Sequence, residues 1–346
     1  MKPSTRLPSR HAGENGLTLP DYSDVRNAAE RLAGVAVRTP LLESRWLNER
    51  IGGRLLIKAE PLQHTGAFKF RGAYNCLSQL TPEQREKGVI AYSSGNHARA
   101  VATAARMLGA PATIIMPKDA PAVKLAGTRQ EGAHIISYNR GTENRTAIAE
   151  DLASKNGWAL VRPYEDNFVI AGQGTVGLEI AAECHVRGVD PKFVVVPAGG
   201  GGLMAGCALA LSAELPSAAL YTAEPQAYDD HARSFAADKR VTVQDMSVPT
   251  LCDALLSKQP GKRTFAINSR RVIGGITADE DAILYAMAAA FHHLKLVIEP
   301  GGAIALAAVL SGALESKGKT IVVVASGGNV DPEIFQRALE TSGNGW

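Results

Sequence analysis

Aromatic residues make up only 5% of this 346-residue sequence, and cysteine occurs just four times. Cys76, Cys184, Cys207 and Cys252 are far apart and form no CxxC pair, which argues against a disulfide framework or a zinc knuckle. Reduced thiols in a cytoplasmic setting are the expectation. The eight histidines include the adjacent His292 and His293 but no HExxH or comparable spacing, so none is assigned to a metal. Basic runs are missing too: 37 Lys and Arg are interspersed with 34 Asp and Glu for a net charge of +3, a field too weak to suggest nucleic acid as the main partner. No stretch reaches the roughly 20 uncharged apolar residues of a membrane helix, and the apolar run Ala282 to Phe291 is short. Residues 1–19 carry no apolar signal-peptide core and read as a flexible tail. What remains is 45% hydrophobic and 21% charged, the balance of a soluble globule with a sizeable core. A small-molecule partner is expected.

A leading helix is predicted from about Asp24 to Leu32, after a Ser23 or Asp24 cap and before the break at Thr39-Pro40. Beyond it, short apolar and β-branched runs alternate with Ala-rich segments: Leu55 to Ala59, Val89 to Tyr92, Ala112 to Met116, His134 to Ser137, Phe193 to Val196, Leu220 to Ala223 and Thr320 to Val324. This βαβα rhythm predicts an α/β fold with largely parallel sheet covered on both faces, and ligands at the strand C-terminal ends. No fixed-period repeat or low-complexity linker separates domains.

Several segments carry chemistry. In Leu62-Gln63-His64-Thr65-Gly66-Ala67-Phe68-Lys69-Phe70-Arg71-Gly72, a lysine lies between two phenylalanines after a Gly-containing turn. Desolvation there would lower its pKa and make it a Schiff-base nucleophile and proton carrier; the segment alone equally suits a lysine snorkelling from a helix surface. The run Val89 to Tyr92 empties into Ser93-Ser94-Gly95-Asn96-His97, a polar turn opening an Ala-rich helix and suited to a carboxylate, or simply a cap. Phe193 to Val196 leads into Pro197-Ala198-Gly199-Gly200-Gly201-Gly202-Leu203 and a further helical stretch, so that backbone amides and the helix dipole can hold a phosphate. The same residues satisfy Gly-x-Gly-x-x-Ala at Gly200, Gly202 and Ala205, with Glu224 about 20 residues on, so a dinucleotide site competes. Ile321 to Asn329 ends in a turn where Ser326 can hydrogen-bond a ring nitrogen, and Glu299-Pro300-Gly301-Gly302 either presents a carboxylate or starts a helix. Glu224 and Asp230, first and seventh in Glu224-Pro225-Gln226-Ala227-Tyr228-Asp229-Asp230, with a carbonyl between them, form an oxygen set for Mg²⁺ or Ca²⁺ or a solvated acidic surface.

Taken in order, these stations resemble the fold type II pyridoxal-phosphate enzymes, specifically the serine/threonine dehydratase and serine racemase family, from about Asp24 onward. The resemblance implies a fold like that of the tryptophan synthase β chain, with two open, parallel-rich twisted sheets flanked by helices and the cofactor in an interdomain cleft. Residues 20–87 and 169–346 would form the large cofactor-binding domain and 88–168 the small one, in a homodimer. It implies that Lys69 carries pyridoxal 5'-phosphate as a Schiff base, that Phe68 packs on the ring and that Asn96 bonds the ring's 3-hydroxyl. Gly199, Gly200, Gly201, Gly202 and Leu203 would hold the phosphate, Ser326 the pyridine nitrogen, and Glu299 would stand beside the cofactor. Ser93, Ser94, Gly95, Asn96 and His97 would bind the substrate carboxylate, and Glu224, the Tyr228 carbonyl and Asp230 a divalent cation.

The activity implied is dehydrative deamination of L-threonine or L-serine to the 2-oxo acid and ammonium. A serine beside the pyridine nitrogen gives a weaker electron sink than an aspartate, which elimination tolerates. Two positions keep an alternative open. Ser94 matches the hydroxyl acid/base of the racemases, and Arg145 matches an arginine of racemases and hydroxyaspartate dehydratases that can pair with a second substrate carboxylate. A 3-hydroxyaspartate dehydratase or a serine/aspartate-type racemase is thus the alternative, and an NAD-dependent oxidoreductase built on Gly200 and Gly202 a remote one. Cys252-Asp253-Ala254-Leu255 stands where the family reads Ala-Asp-Gly-Leu, narrowing the room for substrate. With the sequence ending at Trp346, no C-terminal regulatory domain is expected.

Overall fold

The computed structural model describes residues 17–93, 95–120 and 122–341, so most of the expected N-terminal tail, together with Ser94, lies outside the described residues. Among the described residues, ten strands form two sheets. The strands are β1 (Leu41–Glu43), β2 (Arg54–Ala59), β3 (Val89–Tyr92), β4 (Ala112–Pro117), β5 (His134–Tyr138), β6 (Ala159–Leu160), β7 (Phe193–Pro197), β8 (Ala219–Pro225), β9 (Gly274–Ala278) and β10 (Thr320–Ala325). The larger sheet runs β1-β2-β10-β7-β8-β9 and the smaller β5-β4-β3-β6. Every pairing is parallel except that of β1 with β2, as the helical crossovers require.

Side-chain alternation along β10 explains why its sequence is apolar throughout. Ile321, Val323 and Ala325 pack with Met287, Ile304 and Leu306 from the helices Glu280–Leu294 and Pro300–Leu310. Val322 and Val324 face the opposite side, among Ile180, Met204 and Leu211 from the helices Asn167–Val186 and Gly202–Glu214. Both faces are therefore covered, and each such buried aliphatic side chain contributes roughly 1.5–3 kcal/mol.

All seven predicted strands form, and three more appear. β1 and β6 are too short to carry a pattern, and β9 opens with Gly274-Gly275, poor strand formers held by pairing to β8. The leading helix starts earlier than expected, at Tyr22, because Asp21 rather than Ser23 or Asp24 is the cap. Its carboxylate accepts the amides of Ser23 and Asp24, and Asp24 bonds back to the Asp21 amide.

Candidate active site

The C-terminal ends of β3, β7 and β10 open on one cavity of about 1300 Å³, lined by Lys69, Asn96, Gly199 to Leu203, Glu299, Ser326 and Arg145 among others. Lys69 and Ser326, 257 positions apart in the sequence, thus line one cavity.

Lys69 is the first residue of the helix Lys69–Ser78. The chain reaches it through Thr65 and Gly66, both left-handed with φ of 63° and 74°, a conformation that costs a threonine free energy and concentrates backbone strain beside the lysine. The Lys69 Nζ is half-buried, donates to the Pro163 carbonyl at 3.1 Å and stands 5.0 Å from the centre of the Phe68 ring. Phe70 turns away into the core, edge-on to His64, so one phenylalanine rather than two flanks the amine. Burial pushes the Lys69 ammonium down to about 8, against a smaller upward pull from the Glu299 carboxylate. A snorkelling surface lysine is excluded by this placement.

The turn after β3 presents Ser93, Gly95, Asn96 and His97 to the same cavity. Ser93 Oγ accepts the Gly95 amide at 3.2 Å, and Asn96 begins the helix Asn96–Met107. The Asn96 amide is fixed in orientation: its Nδ2 donates to Glu299 Oε1 at 2.6 Å, and its Oδ1 accepts from Asn329 Nδ2 at 2.7 Å. Asn329 also donates to the strained Thr65 carbonyl and accepts from Arg99. His97 is almost fully buried, with Nε2 at 3.0 Å from the Val161 carbonyl; burial, with Lys69 nearby, pushes its pKa down to about 3 and keeps it neutral.

Past β7, Gly201 adopts φ of 86° and the helix Gly202–Glu214 begins. Among the described residues, none accepts a hydrogen bond from the amides of Gly199, Gly200, Gly201, Gly202 or Leu203. Five free donors at a helix start suit an anion. The glycines also serve packing: a Cβ on Gly200 would lie 2.3 Å from the Tyr164 ring, which covers the turn. The Ser326 side chain lines the cavity, while its carbonyl accepts the Phe68 amide at 3.1 Å and so holds the start of the lysine helix.

Arg145 is the first residue of the helix Arg145–Asn156, capped by Asn144. It is exposed, lines the cavity and lies 5.7 Å from the centre of the Tyr92 ring; among the described residues it has no carboxylate partner. Ala254 lines the cavity as well, with its Cβ near Gly301.

Glu224, Tyr228 and Asp230 lie outside this cavity. Both Glu224 oxygens are occupied by the amides of His231 and Ala232, at 2.7 and 2.8 Å, while both Asp230 oxygens are buried without a partner. The Tyr228 side chain donates to the Met246 and Val248 carbonyls. Burial, with the neighbouring Asp230, holds Glu224 well above the usual carboxylate range, and burial pushes Asp230 up to about 7. Among the described residues no group of three or more His, Cys, Asp and Glu is placed to hold a metal. Glu224 is thereby committed to the turn beyond β8, so the pattern Gly200-x-Gly202-x-x-Ala205 lacks a free acidic residue for a ribose.

Pro163, Tyr164 and Arg99 were not indicated by any local motif, and Asn329 was included only as the end of the turn after β10, because their partners are distant in the sequence. Beneath the site, Arg71 is buried between Glu60, at 2.8 Å, and Glu179, at 2.6 Å, with Lys58 also on Glu179. Among the described residues no helix is long and apolar enough to cross a membrane.

A family profile described as pyridoxal-phosphate dependent enzyme matches residues 33–327. The L-threo-3-hydroxyaspartate ammonia-lyase of Saccharomyces cerevisiae is 41% identical over 329 residues, covering 95% of this chain and 99% of that protein. A catabolic L-threonine dehydratase of Staphylococcus aureus is 39% identical over 312 residues, or 89% of this chain and 88% of that one. The structure of maize serine racemase is similar with a TM-score of 0.86 and 37% identity, covering 93% of this chain and 98% of that chain. Parallel sheets meeting at a lysine-bearing cavity, and a profile match over most of the sequence, lead to one conclusion: the chain belongs to the fold type II pyridoxal-phosphate-dependent enzymes.

Proposed function

We propose that this chain is an ammonia-lyase for 3-hydroxyaspartate, removing its β-hydroxyl as water and its amino group as ammonium. The observation that carries this reading is Arg145, a cation without a carboxylate partner among the described residues, on the wall of the cavity that holds Lys69. A β-hydroxy amino acid with a second carboxylate uses that charge; serine and threonine leave it idle. The similarity to the yeast hydroxyaspartate ammonia-lyase supports the same choice, which moves serine or threonine, expected first from the sequence, into second place. The threonine dehydratase relative keeps that second reading in view.

Pyridoxal phosphate fits the residues present. The free amides of Gly199 to Leu203 would hold its phosphate, Lys69 its aldehyde carbon, Phe68 one side of the ring, Asn96 Nδ2 the 3-oxygen and the Ser326 hydroxyl the ring nitrogen. Bound there, it supplies an electron sink for the pair left at Cα. Lys69, freed by the incoming substrate amine, takes the Cα proton, and its lowered pKa puts the neutral amine within reach of neutral pH. The Ser93 to His97 turn, at a helix start, receives the α-carboxylate. His97 stays neutral and buried, so it orients without adding charge. Arg145 takes the second carboxylate through a charge-assisted bond, and Glu299 holds the Asn96 amide in place. Pro163 and Tyr164 close the side against water. The released enamine tautomerises and hydrolyses in solution to oxaloacetate and ammonium.

Ser94 lies outside the described residues, so its racemase role is tested by chiral analysis of serine or aspartate incubated with the enzyme. A divalent cation, Mg²⁺ or Ca²⁺, would satisfy the two orphaned Asp230 oxygens beside Glu224 and the Tyr228 backbone. The homodimer implied by the resemblance is tested by sedimentation. The substrate assignment is tested by rates on L-threo-3-hydroxyaspartate, L-serine and L-threonine. Arg145→Ala is expected to lower turnover of hydroxyaspartate by roughly 10- to 100-fold, the worth of a hydrogen bond to a charged group, and to spare serine. Equal losses on both substrates would remove the assignment.

A further inference from the structure

The glycine turn is wrapped on its outer side by side chains that each take one of its carbonyls. His231 Nε2 lies 2.8 Å from the Gly199 carbonyl. Thr264 Oγ1 donates to the Gly200 carbonyl at 2.6 Å, which also accepts the Gly261 amide at 3.3 Å. Asn268 Nδ2 donates to the Gly201 carbonyl at 3.3 Å, where the Ala205 amide also arrives at 2.9 Å. All three side chains are fully buried, at 0% exposure, in a region where a hydrogen bond lost is not replaced by water. Thr264 and Asn268 lie four residues apart on one face of the short helix Lys262–Asn268, whose Arg263 amide is capped by the Glu165 carboxylate. Glu165 follows Tyr164, the residue lying against Gly200 from the cavity side.

Geometry gives these bonds a consequence. Four glycines have little intrinsic preference for one arrangement, and each peptide plane can rotate. A plane whose C=O is held outward turns the following N–H inward. Fixing the carbonyls of residues 199, 200 and 201 therefore fixes the amides of Gly200, Gly201 and Gly202, all of them free for a ligand. We propose that Thr264 and Asn268, together with His231, are positioning residues that aim the glycine amides at an anion, the cofactor's phosphate. The inference rests on the reading that this turn holds that phosphate, and it assigns phosphate recognition to side chains that do not touch the phosphate. A packing role alone would predict only a loss of stability.

The test compares pyridoxal 5'-phosphate with pyridoxal, which lacks the phosphate, on the full-length protein freed of cofactor. Dissociation constants come from visible absorbance titration and folding from circular dichroism. The wild type is expected to prefer the phosphorylated form, and Thr264→Val to reduce that preference by about tenfold, with pyridoxal affinity nearly unchanged. Thr264→Ser, which restores a hydroxyl, is expected to recover it. Asn268→Ala is a second probe on a separate carbonyl, read in the same way should Thr264→Val not fold. A preference left intact in the folded variants, or equal loss for both ligands, overturns the positioning role while leaving the phosphate site standing. A wild type that does not distinguish the two ligands overturns the phosphate site and the inference with it.

Discussion

Replacing Glu299 with glutamine isolates a carboxylate that acts on Lys69. Burial brings the lysine from 10.5 to about 8, and Glu299 opposes that fall by stabilising the ammonium. At pH 7 a pKa of about 8 leaves about 9% of the amine neutral, against about 0.03% for an unshifted lysine, a gain of roughly 300-fold in reactive base. Glutamine is similar in shape and its carbonyl can still accept from Asn96 Nδ2, so the Glu299→Gln variant alters the charge and keeps the contact. With the carboxylate gone, the Lys69 pKa should fall below the wild-type value. The assay is the rate at which cofactor-free protein captures pyridoxal, followed by visible absorbance across pH; pyridoxal is chosen because it carries no phosphate to titrate. The rate of the wild type should rise with pH to a midpoint of about 8, and the midpoint of the variant should lie lower. A wild-type midpoint near the ordinary lysine value, or a variant midpoint shifted upward, would refute the desolvation argument.

Removing the Glu60 side chain leaves Arg71 buried with a carboxylate missing, and Glu60→Ala should cost about 3–5 kcal/mol in urea unfolding; a loss below about 1 kcal/mol would show that the network adapts. Gly201→Ala sets a Cβ 2.6 Å from the His231 ring at a backbone φ of 86°, so affinity for pyridoxal 5'-phosphate should drop by at least tenfold and thermal stability with it; an unchanged titration would contradict the turn geometry. Millimolar Mg²⁺ or Ca²⁺ should raise the melting temperature, and Asp230→Asn should abolish the rise, because Asp230 contributes two buried, unpartnered oxygens; an identical shift in the variant would place the cation elsewhere.

The cavity wall was legible where polar residues and glycines directly follow an apolar run, since a parallel strand must end at the ligand-binding edge. Ser93 after β3, the glycines after β7 and Ser326 after β10 all follow that rule. Residues whose role depends on a partner far along the chain were not legible. Asn329 stands in the turn after β10, but its bond to Asn96, 233 positions away, has no local signal, and Thr264, 64 positions from Gly200, has no local pattern at all. The turn Glu224 to Asp230 shows the converse: spacing suggested carboxylates of equal standing, yet the fold commits Glu224 to two backbone amides and leaves only Asp230 open.

Lys69 and Arg71 show how one short motif supports two opposite electrostatic outcomes. Two residues apart on a helix they point about 200° apart, so one faces the cavity and the other the core. Arg71 meets Glu60 and Glu179 in the core; burial acts to lower its pKa, but the two carboxylates outweigh it and hold the guanidinium above its ordinary value. Among the described residues Lys69 meets no carboxylate within hydrogen-bonding distance, only the Pro163 carbonyl, so burial wins and enough of the amine is neutral to react near neutral pH. Exchanging the two roles is not a matter of residue type alone. A lysine at 71 would lack the forked donors that reach Glu60 and Glu179 together, and an arginine at 69 would stay charged in any surroundings. The buried arginine thus secures the first turn of the helix from below, while the lysine on its upper side is left free to change its proton.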